Sequence, residues 1–424
     1  MPSSGGWLLP GWTTSGGRSW QAPAYVNRTT LALFGLDVTT LRCVQMTEDT
    51  SRNEARLVYE LEDQGPGEIR PRVGQWFDVE EACRKLGSRV RTPLVEACLL
   101  HSEARPPAGP PWGRRGWFRN ASQWIRGQVS HMGMQLTGPI EQVRVWERSC
   151  VLRIPTSTGF VYFKATPPVS NHELELTSTL AQRFPNQIPR VLAVDSDRRW
   201  MLLRDCGRGT LEDCRSVHRW EQALQEFSRI QVRCSSDVNL WLDLGCAAYP
   251  LPAVVQGLDT LCEDLSMERC GLSVHDVRRL KHGAPKYAEM CNQIAEVNLP
   301  LSLEHGDFWP GNIVTDGRKC IYLDWAEATV THPFFCIALF LEYARALLPG
   351  ARGTYARLRR AYLLPWRNHA SEEDLISAFR LAWKVGPLYR ALVYHQVILP
   401  HVEAKWEVRP LLTFFLKELL ARAV

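Results

Sequence analysis

The residues with the clearest capacity for chemistry in this 424-residue chain sit in one short run, HGDFWPGN, from His305 to Asn312, and in the strand-like IYLD that ends at Asp324. Two carboxylates and an amide oxygen at this spacing match what phosphoryl transfer asks of a protein, which is chiefly to position reactants and neutralise charge. Asp307, on a loop, would orient an attacking hydroxyl or amine. Asn312 and Asp324 would hold Mg2+ against the phosphates of ATP, since magnesium takes hard oxygen ligands and keeps several waters. His305 lies beside a base that already has that task and reads as an organiser of the loop.

HGDFWPGN followed by DWAEA resembles the HxDxxxxN and downstream Asp of aminoglycoside phosphotransferases, choline kinases and their relatives. The resemblance implies an α+β, two-lobed protein-kinase-like fold, with an antiparallel sheet in the small lobe and a mainly helical large lobe. It also implies ATP and Mg2+ as cofactors and a small-molecule acceptor. DWAEA stands where protein kinases carry DFG, and no APE-like segment follows, which argues against a protein substrate.

A kinase fold of this kind needs a cation for the α- and β-phosphates and a helix carboxylate to fix it. Lys164, in the strand FVYFKA, is the one lysine between Lys85 and Lys281 in a chain that otherwise favours arginine. Helical spacing puts Glu173 on the face of Leu176, Leu180 and Phe184, whereas Glu175 points away, so Glu173 is its expected partner. No GxGxxG is present to roof the phosphates. The turn WERSC takes that place, with Ser149 and nearby backbone N–H groups as donors. The adenine would meet main-chain groups of the connector Leu203 to Gly207, where Asp205 and Cys206 mark position and not side-chain identity. Trp309, inside the catalytic loop, is a candidate wall of the acceptor pocket. Most of the sixteen tryptophans, Trp124, Trp200 and Trp325 among them, fall at ordinary core positions.

The elements that must position these residues are legible as patterns. An amphipathic helix WFRNASQWIRGQVSHMG leads into the strands EQVRVW, CVLRIPT and FVYFKA, the helix HELELTSTLAQRF and the strands RVLAVD and WMLLRD. From about Leu211 the pattern is helical, apart from the strand-loop-strand GNIVTDGRKCIYLDW. This gives a small lobe over 116–207 and a large lobe over 208–424. Ahead of them, after a tail over 1–24, residues 25–104 read as a small mixed α/β domain with strands LRCVQM and ARLVYELE and helices DVEEACRKLG and TPLVEACLLHSE. The Pro/Gly/Arg stretch RPPAGPPWGRRGW supplies a linker at 105–115. The small domain faintly resembles Nudix hydrolases. Their metal-binding box is missing, so a binding or scaffolding role without hydrolysis is expected of it.

A formal charge of +5 over this length points neither to nucleic acid nor to a membrane surface. Thirteen scattered cysteines without a CxxC pair suit a reducing cytoplasm. No secretory leader is evident, and Glu342 and Arg345 interrupt the longest apolar run. Thirteen basic residues against seven acidic ones between Glu342 and Val424 favour a neutral or anionic acceptor over a polycationic antibiotic. The function expected is transfer of the γ-phosphate of ATP to a hydroxyl or amine of a small molecule. The rival is a catalytically silent relative that binds nucleotide or a partner. Neither the acceptor nor the oligomeric state is written in the sequence.

Overall fold

The computed structural model of the chain describes residues 2–3, 6–16, 19–49, 51–65, 71–86, 109–207, 209–267, 270–348 and 353–422. The expected helix TPLVEACLLHSE lies outside them. The chain divides into two compact units, one of residues 1–167 with 200–202, the other of 168–199 with 203–424.

In the first unit, helix α1 (Ala24–Phe34) precedes a hairpin of long strands, β1 (Val38–Asp49) and β2 (Glu54–Asp63), and a short helix α2 (Val79–Lys85). Helix α3 (Trp117–His131) then leads to β3 (Glu141–Trp146), β4 (Ser149–Thr156) and β5 (Gly159–Ala165), antiparallel neighbours in that order. β4 alternates as its sequence suggests, whereas β3 shifts register between Gln142 and Arg144 and β5 ends on three consecutive buried residues, Phe163, Lys164 and Ala165. Phe163 of β5 meets Trp117 and Trp124 of α3 and Trp200 in edge-on contacts of 5.6–6.0 Å, which makes an aromatic core of the tryptophans read as packing.

Residues on both sides of the 105–115 stretch belong to this one unit. Gln142, buried in β3, accepts from the Thr40 N–H at 2.7 Å and from Asn27 Nδ2 at 2.8 Å, and donates to the Thr40 carbonyl at 2.9 Å. One amide side chain thereby completes the backbone of β1 at its register shift between Thr40 and Arg42.

The second unit begins with α4 (Glu173–Arg183) and β6 (Val191–Asp195), and after β7 (Trp200–Arg204), whose residues are divided between the two units, it is mainly helical. Its spine is α5 (Val217–Cys234), followed by α6 (Leu251–Met267) and α7 (Val274–Glu296). A small sheet, illegible in the sequence, sets β12 (Thr329–Thr331) between β8 (Ala247–Tyr249), parallel to it, and β9 (Ser302–Glu304), antiparallel. The expected hairpin forms from β10 (Ile313–Thr315) and β11 (Cys320–Tyr322). Helices α8 (Ile337–Leu347), α9 (Thr354–Leu363), α10 (Glu372–Val393) and α11 (Lys405–Arg422) close the unit. Ser371 caps α10 by accepting from the Asp374 N–H at 3.1 Å, and three acidic residues occupy its first turn. Among the described residues no helix is long and apolar enough to cross a membrane.

Candidate active site

The loop of residues 305–312 is fixed from both ends by its own sequence. Strand β9 delivers Glu304, and Gly306 then turns the chain with φ +80°. A Cβ at Gly306 would lie 2.0 Å from the Glu327 carbonyl oxygen, so only glycine fits there. Phe308 anchors the loop inward, stacked on Phe227 of α5 with centroids 3.9 Å apart and on Phe340 of α8 at 5.0 Å. Pro310 opens a short 3-10 turn that ends on Asn312.

Three of the expected residues converge here. Asn312 Nδ2 donates to Asp307 Oδ2 at 2.9 Å and to the Asp307 carbonyl at 3.0 Å. Asp324 lies close enough to raise the Asp307 carboxyl electrostatically. The strand expected to end at Asp324 stops at Tyr322, and Asp324 adopts φ +64°, a left-handed conformation that aspartate tolerates better than most residues. Desolvation, then Glu327 and Asp324, push the Asp307 carboxyl up to about 7, against the opposing pull of Arg390 and of the Asn312 hydrogen bond.

His305 is fully buried, and Nε2 lies 2.8 Å from the Leu323 carbonyl. A carbonyl only accepts, so Nε2 carries the proton. Burial holds the imidazole down to about 4, with Asp324 working the other way, and its ring lies 4.5 Å from that of Trp325. The histidine thus ties this loop to the residue before Asp324 and stays neutral. Trp309 is partly buried, with its ring 5.3 Å from that of Tyr343. Burial and then Asp307 raise the Tyr343 hydroxyl, which places Tyr343 in the field of the loop carboxylate.

Whether these residues suit a magnesium ion can be judged from their free atoms and their charge. With Nδ2 committed to Asp307, Oδ1 is the Asn312 atom left for a hard cation. Glu327 and Asp324 both raise the Asp307 carboxyl while Arg390 lowers it, so the negative charge gathered at this point is of the kind a divalent ion would offset. Among the described residues no three His, Cys, Asp or Glu side chains form a cage by themselves. An amide oxygen and a carboxylate are a sufficient protein share for an ion that keeps waters and takes phosphate oxygens.

The remaining expected residues are placed as follows. In the first unit, Lys164 of β5 is buried at 7% exposure, opposite Val151. Trp146 and Ser149 pair across the tight β3–β4 turn. Ser149 Oγ accepts from the Trp146 indole at 2.9 Å, and the Trp146 carbonyl accepts from Trp112 Nε1 at 2.9 Å. Glu147, Arg148 and Ser149 are all buried, so this turn is braced where a glycine-rich loop would be loose. In the second unit, Glu173 opens α4 and is buried at 1% exposure, while Glu175 is exposed and accepts from Ser196 Oγ at 2.9 Å. Asp205 Oδ1 accepts from the Gly207 N–H at 3.0 Å, and burial pushes the Cys206 thiol up to about 11. Asp205 is thus committed to a turn, and the Cys206 thiol stays protonated.

Sequence reasoning missed the layer under the loop. Glu304 and Glu327 flank the motif and were visible, but their partners Tyr389 and Arg390 lie on α10, with no local signal to connect them.

In fold, the chain resembles solved structures of small-molecule kinases. The chain is similar in structure to an ethanolamine kinase of Plasmodium vivax, with a TM-score of 0.50 and 12% identity over 73% of this chain and 89% of that one. It is similar to a choline kinase of Cryptosporidium parvum as well, again with a TM-score of 0.50 and 12% identity, over 70% of this chain and 95% of that one. No protein-family model matches the sequence. No curated protein matches it either.

Proposed function

We propose that the chain is an ATP-dependent phosphotransferase that moves the γ-phosphate to a hydroxyl or amine of a small molecule. The observation that carries this is the Asn312 to Asp307 hydrogen bond, which aims one carboxylate and leaves one amide oxygen for a cation. Asp307 orients the acceptor hydroxyl or amine and takes its proton as the bond to phosphorus forms. Asn312 and Asp324 hold Mg2+, which when bound neutralises charge on the phosphates. The remaining roles are those expected from the sequence: Lys164 for the α- and β-phosphates with Glu173 as its expected partner, Ser149 and the turn around it as their cover, and the connector at Asp205 and Cys206 for the adenine. The fold shared with choline and ethanolamine kinases supports a small-molecule acceptor.

Most of the described basic residues of the C-terminal region are exposed. Of those described, only Arg390 and Arg422 are buried, and both are paired with carboxylates. The proposal keeps the sequence-based expectation of a neutral or anionic acceptor. The protein would act in the cytoplasm, with residues 25–104 as a non-hydrolytic binding or scaffolding part.

The test is ADP release from MgATP across a panel of neutral, cationic and anionic hydroxyl compounds. Asp307→Asn should lose at least about a hundredfold in kcat while binding ATP within severalfold of wild type. Nucleotide binding without turnover on any acceptor would favour the catalytically silent reading, and undiminished turnover of Asp307→Asn would sink the assignment.

A further inference from the structure

Beneath the catalytic loop, two consecutive residues of α10 reach two different carboxylates. Tyr389 donates its hydroxyl proton to Glu304 Oε2 at 2.6 Å, and the same oxygen accepts from the Gly306 N–H at 2.8 Å. Arg390 pairs through Nη2 with Glu327 Oε2, while Tyr394 Oη lies 3.2 Å from Glu327 Oε1. The Glu327 backbone carbonyl is the group packed against Gly306 Cα. Neighbours on a helix diverge by about 100°, so one short stretch of α10 can serve both acids. Glu304, Tyr389 and Arg390 are buried at 0%, 0% and 5% exposure. Breaking a buried ion pair or stranding a buried acceptor is costly, so the arrangement has little freedom.

α10 is in turn held against the turn at Pro333–Cys336. Gly386 lets it approach so closely that an added Cβ would lie 3.0 Å from the Phe335 carbonyl oxygen, and Phe335 stacks on Tyr389 with centroids 5.4 Å apart.

We propose that Tyr389 and Arg390 are positioning residues for Asp307. Through Glu304 and Glu327 they clasp Gly306, the residue from which Asp307 projects, and so transmit the placement of α10 to the aim of the loop carboxylate. Glu304 acts here as a hydrogen-bond acceptor and not as an acid or base, and Glu327 as an ion-pair partner that fixes its own backbone. The proposal rests on the reading of Asp307 as the carboxylate that orients the acceptor.

Its test uses the full chain and variants Tyr389→Phe, Arg390→Lys and Glu304→Gln. Two readouts are taken: ADP release from MgATP with water as acceptor, and hydrogen exchange over residues 304–308. Tyr389→Phe and Arg390→Lys should each lower kcat about tenfold with KM for ATP within about twofold, the mark of lost orientation and not lost binding. Exchange at Gly306 and Asp307 should rise about tenfold while α5 and α7 keep their protection. Glu304→Gln keeps an oxygen that accepts both hydrogen bonds and should retain the wild-type rate. Unchanged exchange at Gly306, a uniform loosening of the whole unit, or an inactive Glu304→Gln would each overturn the clasp. If wild type releases no ADP with water or with any acceptor of the panel, the phosphotransfer reading fails, and the exchange readout alone decides whether the clasp exists.

Discussion

Asn312 holds Asp307 at two points, its Nδ2 lying 2.9 Å from the carboxylate and 3.0 Å from the carbonyl of the same residue. A single amide thus sets both the side chain and the backbone of the residue proposed to meet the acceptor. The same amide has its oxygen left for a cation, which couples the aim of the carboxylate to the place of the metal.

That coupling predicts a double effect of Asn312→Leu, which keeps the volume and removes both functions. The rate of ADP release should fall about a hundredfold, and the Mg2+ concentration for half-maximal rate should rise about tenfold. Titrating the rate against Mg2+ separates the two, and an unchanged midpoint would remove Asn312 from the proposed ligands.

A pH dependence of stability follows from His332. Its Nδ1 caps the turn at Pro333–Cys336 by accepting from the Phe334 N–H at 3.3 Å, and burial holds the imidazole down to about 3. The folded value lies below the unfolded one of about 6.5, so this contribution is present above that pH and is lost as pH falls towards the folded value, by about 1.4 kcal/mol per unit. His305, held down to about 4, acts in the same direction. Asn at position 332 can still accept as a cap and does not titrate. His332→Asn should therefore shrink the stability difference between pH 7 and pH 5 by roughly 2 kcal/mol, as measured by urea unfolding at each pH. An identical difference in both proteins would exclude His332 as a source of acid sensitivity.

Gln142 predicts how the first unit responds to loss of one amide. Gln142→Leu leaves the buried N–H and carbonyl of Thr40 without partners and should cost about 2–4 kcal/mol. Hydrogen exchange at Thr40 should accelerate together with that of β3, since the two strands are held by the same side chain. Protection at Thr40 equal to that of wild type would show that the bridge contributes nothing.

The chemistry-bearing loop was legible because it is local. Asp307 and Asn312 are five positions apart, so one loop carries both, while the hydrogen bond that joins them shows only in the structure. The β3, β4 and β5 strands, α3 and α4 were legible for a related reason, since each is long enough to repeat a period of two or of 3.6 and to show which face is buried. Glu173 and Glu175 illustrate it, one buried and the other exposed as helical geometry requires.

Tertiary structure decided what periodicity cannot encode. Strands β8, β9 and β12 have three residues each, too few to display alternation, and they exist because their partners are brought alongside. Left-handed Asp324 ends its strand two residues early, where a propensity argument would have continued it. Glu304 meets Tyr389 across 85 positions, Glu327 meets Arg390 across 63, and Gln142 meets Thr40 across 102. A buried charge or amide is tolerated only where the fold supplies its partner, and nothing in its neighbours along the chain says which distant residue that will be.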